Sequence, residues 1–279
     1  MSDGMRVNFG KYDIPPTLRI LIDLREELGD AERFWRGLHF YLALEGFRYF
    51  NTPCDVVVFG NTGVDGIHYG FLTDFGSAPD LESAPVVCVS PMDLHPVRIV
   101  AGNIREFLAI NLTDDALFYN DFESEDSYLE AKRQWAKEAS ESPYRPSEDE
   151  KFVREITERR LKDRLRLPLV DNPYRHVRMV GLERQRAVTI RTRDGLGVTA
   201  PLRAGETHVP FPYECVRKSV PDRLRDYLES APAASRMALF RDIPWIADLE
   251  RQHELRAVVL EAMLDMGLAD EAGRLSDIR

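Results

Sequence analysis

Phe59 to Gly76, FGNTGVDGIHYGFLTDFG, is where this chain concentrates groups that could do chemistry: Asp65, His68 and Asp74 fall within ten residues of one another. Two carboxylates and an imidazole are the parts of a general acid–base pair or of a carboxylate–histidine metal site. Each also has plainer work available. Asp65 sits in Gly63-Val64-Asp65-Gly66, where turn formation accounts for it, and Asp74 can cap the adjoining loop. No second histidine or cysteine stands at ligand spacing, so no metal or cofactor is expected and His68 reads as a hydrogen-bonded strand histidine. Tyr69, Phe71 and Phe75 are expected on one face. They are core residues or, if the opposite face packs, an exposed aromatic patch of the kind found at binding hot spots. The candidate binding residues are therefore Asp65, His68, Tyr69, Phe71, Asp74 and Phe75, and no catalytic residue is assigned.

Other catalytic signatures are missing. The glycines lack the lysine and hydroxyl residue of a phosphate loop, and no helical pattern follows Gly66 as a dinucleotide fingerprint requires. No Gly-x-Ser-x-Gly elbow and no His-Glu-x-x-His helix occurs. Cys54 and Cys88 lie in apolar, strand-like settings with nothing nearby in sequence to lower their pKa. With Cys215 they make a sparse, odd set of three, which fits a reducing compartment. The first residues lack the layout of a secretory signal and no apolar run approaches the roughly 20 residues of a membrane span, so a cytoplasmic protein is expected.

Charge narrows the partner. The net charge is −10. Residues 1–120 hold 17 acidic against 9 basic residues, a net of −8, and residues 121–279 hold 30 against 28, a net of −2. Such a surface repels nucleic acid and anionic membranes and attracts basic proteins. The basic run Arg154, Arg159, Arg160, Lys162, Arg164, Arg166 is interleaved with Glu155, Glu158 and Asp163, as on a solvated helix.

The elements that must position these residues read as α+β. Helices are expected at 17–29 and at 30–45, the second capped by Asp30 and ended by Gly46. Residues 54–59, 66–72, 85–90 and 96–101 are short β-branched or aromatic runs. Six residues between the first two leave no room for a crossover helix, so an antiparallel meander follows. A helix at 103–110 capped by Asn103, an acidic loop at 114–126, and charged helices at about 125–140 and 148–166 come next. Strands at 175–181, 186–193 and 196–202 turn about Asp194-Gly195. Helices at 221–230, 232–240 and 246–266 lead to a frayed end at 268–279.

Residues 17–112 resemble the SUKH superfamily, the Smi/Knr-like proteins. The likeness rests on two amphipathic helices with Trp35 in the second, the Gly63–Gly66 turn between strands, the Pro85–Val87 strand, and a helix carrying Glu106-Phe107-Leu108. It implies an α+β fold with a mostly antiparallel sheet flanked by helices. It also implies a binding role: many bacterial members act as immunity proteins that neutralise toxins, and fungal relatives as scaffolds. On this reading residues 1–112 form a SUKH-like domain and 113–279 a helical and β-hairpin extension. The expected function is a non-enzymatic module for a basic protein partner, a toxin being one form of it. A small-molecule protein or enzyme using a cleft between the N-terminal sheet and the C-terminal region stays open, as does a regulatory scaffold.

Overall fold

In the computed structural model, which describes residues 2–213 and 221–277, a five-stranded antiparallel sheet runs in the order β1-β2-β3-β4-β5 among twelve helices. The expected α+β class holds; Cys215 lies outside the described residues. Helix α1 spans Asp3–Phe9, and α2 spans Pro16–Leu28 with Leu18, Leu21, Leu24 and Leu28 buried along one stripe. Helix α3 (Ala31–Leu38) opens on Asp30, whose carboxylate accepts the Arg33 N–H at 2.7 Å.

The expected helix to residue 45 stops early. His39 turns left-handed (φ 58°) and closes α3, and Tyr41–Leu42 become the edge strand β1, opposite Asn61 and Gly60. Burial decides the break. Phe40 must enter the core, where its ring meets Phe34, Phe59, Tyr69 and Phe107 edge-on at 5.7 to 6.2 Å.

The meander forms as expected from β2 (Val56–Asn61), β3 (His68–Leu72), β4 (Val86–Val89) and β5 (Val97–Ala101). Both faces are covered, which is why the strands read as continuous apolar runs. Val57, Phe59, Tyr69, Phe71, Val86 and Cys88 face the first helices. Val56, Val58, Leu72, Val87 and Val89 meet Leu196 on the other side.

Asn103 caps α4 (Ile104–Asp114), and a short helix, α5 (Ala116–Tyr119), occupies part of what the sequence presents as an acidic loop. Capping boxes at Ser124 and Ser147 start α6 (Glu125–Glu141) and α7 (Glu148–Arg164). Three of the six residues of the basic run are engaged in ion pairs, Lys162 with Glu158 at 2.6 Å, and Arg160 and Arg164 with Glu27 of α2 at 3.0 and 2.7 Å.

Three expectations fail after residue 172. The strand expected at 175–181 is helix α8 (Pro173–Ala187), with Pro173 at its first position and Asn172 as its cap. A short apolar run cannot by its periodicity separate helix from strand. Of the strands at 186–193 and 196–202 only the bridge Ile190–Val198 forms, around the Asp194-Gly195 turn. Helices α9 (Pro221–Ser230), α10 (Ala233–Asp242) and α11 (His253–Asp265) follow, with a 3-10 turn at Ile243–Trp245 after α10. The expected frayed end is instead helix α12 (Ala269–Ser276), packed on α1. The region after 113 thus lies against the first sheet and helices, α7 on α3 and α8 on β5. No helix among the described residues is long and apolar enough to cross a membrane.

Arg274 explains why α12 does not fray. Fully buried, it donates to the carbonyls of Cys54 (2.7 Å) and Asn8 (3.0 Å) and to Glu271 (3.0 Å). Arg274→Ala leaves those acceptors buried without a partner and is expected to destabilise the protein by about 3 to 5 kcal/mol. Lys151→Ala, which removes an exposed ion pair with Glu148, should stay within about 0.5 kcal/mol. Urea unfolding of both variants measures the difference.

Candidate functional site

The six candidate residues are dispersed by the fold. Asp65 is exposed at the tip of the β2–β3 turn, with φ 52°. Tyr69 and Phe71 are buried in the main core, and Phe75 belongs to a different cluster formed with the C-terminal helices. The expected single aromatic face is therefore split. Asp74 and Phe75 follow the end of β3 in left-handed backbone (φ 47° and 55°), a turn that carries them off the strand. His68 begins β3 and Asp74 lies beyond its end, about 13 Å or more away at 3.3 Å per strand residue. Acid–base cooperation between them is out of reach.

Asp74 has other work. Arg184 of α8 grips it with two bonds of 2.6 and 2.7 Å, and Arg241 of α10 adds a third at 3.2 Å. Arg241 also pairs with Asp55 at 2.5 Å and donates to the Gly197 carbonyl at 2.6 Å, with the Phe75 ring 5.3 Å beneath it. Burial alone would pull this guanidinium down; Asp55, Asp194 and Asp74 together more than reverse that and hold it above its ordinary value. Burial pushes the Asp194 carboxyl up, against the pull of Arg241. These charges compensate one another and face no cavity that a substrate could share with His68.

His68 is a support as well. Its Nδ1–H donates to the Gly66 carbonyl at 2.7 Å, and its Nε2 lies 3.0 Å from the Thr52 hydroxyl. That hydroxyl also accepts the Tyr49 N–H at 2.9 Å. The imidazole stacks on Tyr49 at 6.1 Å and 20°. Gly66, at φ 69°, runs under the same ring so closely that a Cβ would come within 2.7 Å of Tyr49 Cζ. Burial lowers the His68 pKa from 6.5 to about 4, opposed by the Gly66 bond. The glycine-rich motif thus positions Tyr49 rather than gathering reactive groups.

What it positions is on the surface. Tyr49 and Phe50 are exposed, Phe50 by 51%, and stand between two hollows. One, of about 530 Å³, is walled by Phe50, Trp245 and Leu249 and carries Asp248 and Glu250. Phe50 and Trp245 meet there edge-on at 5.7 Å. The other, of about 690 Å³, carries Asp3, Glu45 and Asp277. The arginines in the two linings have acceptors already: Arg256 on the Ser276 carbonyl, Arg48 on the carbonyls of Val56 and Pro53. Asn51 donates to the Pro91 carbonyl at 3.1 Å, which brings the β4–β5 loop alongside, with Met92 and Leu94 almost wholly exposed. Tyr49, Phe50, Met92, Leu94 and Trp245 were not among the sequence candidates. The available signal was FRYF, Phe47 to Phe50, three aromatics in a loop between Gly46 and Pro53.

Among the described residues no group of three or more His, Cys, Asp or Glu is placed to hold a metal ion. Burial raises the Cys54 thiol, and pushes that of Cys88 up to about 12, so both stay protonated at neutral pH.

Asp74→Ala removes the one carboxylate paired with Arg184 and one of those on Arg241 and is expected to lower stability by about 3 to 5 kcal/mol, while Asp65→Asn stays within about 0.5 kcal/mol. His68 adds a pH dependence. Its folded-state pKa lies below the unfolded one, so the unfolded chain binds the extra proton between pH 6.5 and about 4. Stability contributed by neutral His68 is complete above pH 6.5 and is lost as pH falls, by roughly 2 to 3 kcal/mol at pH 4.5. Urea unfolding against pH should show this slope in the parent and a flatter one in His68→Gln. Compared with known proteins, the chain matches no family model and no curated protein.

Proposed function

We propose that this protein is a non-enzymatic binding module that docks a basic protein partner on the Tyr49–Phe50 platform, an immunity-type protein that neutralises a basic toxin being the form its SUKH resemblance favours. The observation that carries the reading is the pairing of exposed aromatics with acidic hollows on both sides. Aromatic side chains offer large contact area with little rotamer entropy to lose, which is why they dominate binding hot spots. Glu250 on one flank and Glu45 and Asp277 on the other suit lysine and arginine side chains, beside Asp248 and Asp3, whose pairs with Arg251 and Arg6 are exposed and weak. The overall charge of −10 adds long-range attraction and faster encounter. Asp65, His68 and Asp74 divide between an exposed turn, a buried support and an ion pair, so these three assemble no acid–base site that would favour the enzymatic alternative.

A photo-crosslinking residue placed at Phe50 or Leu94 tests this in cells. The expected result is a shared basic crosslinked protein, absent when the crosslinker sits at the remote exposed positions Tyr144 or Leu169. Phe50→Ala with Trp245→Ala should weaken that complex at least tenfold, about 1.4 kcal/mol or more, and rising salt should slow its formation. Equal crosslinking from the remote positions, or association indifferent to salt, would sink the reading.

A further inference from the structure

A separate cavity of about 350 Å³ lies between the N-terminal sheet and the C-terminal half, bounded by β5, the segment after α5, α8 and the 193–196 turn. It shares no lining residue with the two acidic hollows. Its walls are apolar: Val97, Ile99, Leu117, Phe122, Val177 and Leu196. Its lining carries four arginines against two aspartates, an excess of positive charge in an acidic molecule.

Four arginines line it. Arg184 is neutralised by Asp74, and Arg98 by Asp93 at 3.1 Å. Arg193 lies over the Tyr213 ring at 4.5 Å with its side chain engaged by Tyr213, and Asp242, which accepts its backbone N–H, offsets part of its charge. Arg178 makes no hydrogen bond or ion pair among the described residues. Of the two acidic residues in the lining, Asp194 is buried on Thr192 and the Leu196 N–H, and Arg193 has Asp242 close by, which leaves Arg178 as the uncommitted cation with Asp121 the remaining lining carboxylate. In a protein of charge −10, a cationic apolar cleft is a local inversion.

Gly181 is the second, independent observation. It sits in the middle of α8, where glycine weakens a helix relative to any larger ordinary residue. It lines the cavity, and a Cβ there would meet nothing within 4 Å. The helix thus gives up a side chain where that side chain would project into the space.

From this geometry we infer that the cleft binds a small amphipathic carboxylate, its apolar body between β5 and α8 and its carboxylate on Arg178, with Arg193 adding field. A guanidinium presents paired donors that match a carboxylate's two oxygens. A volume of this size suits a ligand near the lower end of the small-molecule range, its apolar part in the cleft and its charged end on Arg178, which is exposed at the mouth.

Two competition titrations on the full chain test it, with anilinonaphthalene sulfonate as the fluorescent probe and decanoate or decanol as competitor. The expected result is saturable probe binding displaced by decanoate at least ten times more effectively than by decanol. Gly181→Leu, which fills the space with a better helix former, should abolish probe binding while leaving the unfolding midpoint unchanged or raised. Arg178→Gln should weaken decanoate roughly five- to tenfold and leave decanol unaffected. Probe binding that survives Gly181→Leu, decanol competing as well as decanoate, or no saturable binding at all would each overturn the assignment.

Discussion

Buried guanidinium groups hold this molecule together, and almost every other feature depends on them. Arg48, Arg184, Arg241 and Arg274 each reach into the protein and donate to backbone carbonyls, most of them in irregular segments (Pro53, Cys54, Leu196 and Gly197), with Val56 at the start of β2 and Asn8 near the end of α1. Buried carbonyls outside helices and strands have no ladder to satisfy them, and leaving them bare is unfavourable. A planar group with five donors can serve several at once. The charge that Arg184, Arg241 and Arg274 bring is matched by Asp74, Asp55 and Glu271, whereas Arg48 bonds to carbonyls alone. The C-terminal half is joined to the sheet by polar groups that accept very few alternative arrangements. Apolar contact alone would tolerate sliding.

That rigidity is what gives the surface its shape. The loop from Phe47 to Pro53 has no regular structure, yet it is fixed at its base by Arg48, at its middle by Thr52 on His68, and at its side by Asn51 on Pro91. Tyr49 rests on His68 and Gly66. Preorganisation matters for binding because a loop already ordered loses little entropy when a partner arrives. A catalytic role for His68 would require a ring nitrogen free to exchange a proton, and both are committed to protein partners.

Much of the fold was legible because it follows from short-range rules. The meander, the Asp30 and Asn103 caps and the charged helices α6 and α7 depend on neighbours within a few residues. The failures share a different cause. Helix α3 ends at His39 because Phe40 is needed in the core, and α8 replaces a strand because β5 offers it a surface to cover. Helix α12 exists because Arg274 meets Cys54, 220 residues earlier in the chain. Asp74 reads as a loop cap until Arg184 and Arg241 arrive from 110 and 167 residues away. Long-range ion pairs leave no periodicity in a sequence, so the candidate site was legible as a cluster and illegible as to its task.

The same limit applies to charge. Summed along the chain, the acidity belongs to residues 1–120; in space, the acidic hollows draw Asp3 and Glu45 from the beginning and Asp248, Glu250 and Asp277 from the end. The cationic cleft draws Arg178 and Arg193 from residues 173–193, which hold six arginines and one glutamate inside a half of the chain whose net charge is only −2. Coulomb interactions fall off over about 8 Å at physiological salt, so a partner or ligand responds to these local groupings and not to the sum over either half. Two surfaces of opposite sign can therefore act independently on one small protein, provided the scaffold between them does not yield. The arginine-bound junction supplies that condition, and it is why the fold's polar core and its two outward-facing surfaces have to be understood together.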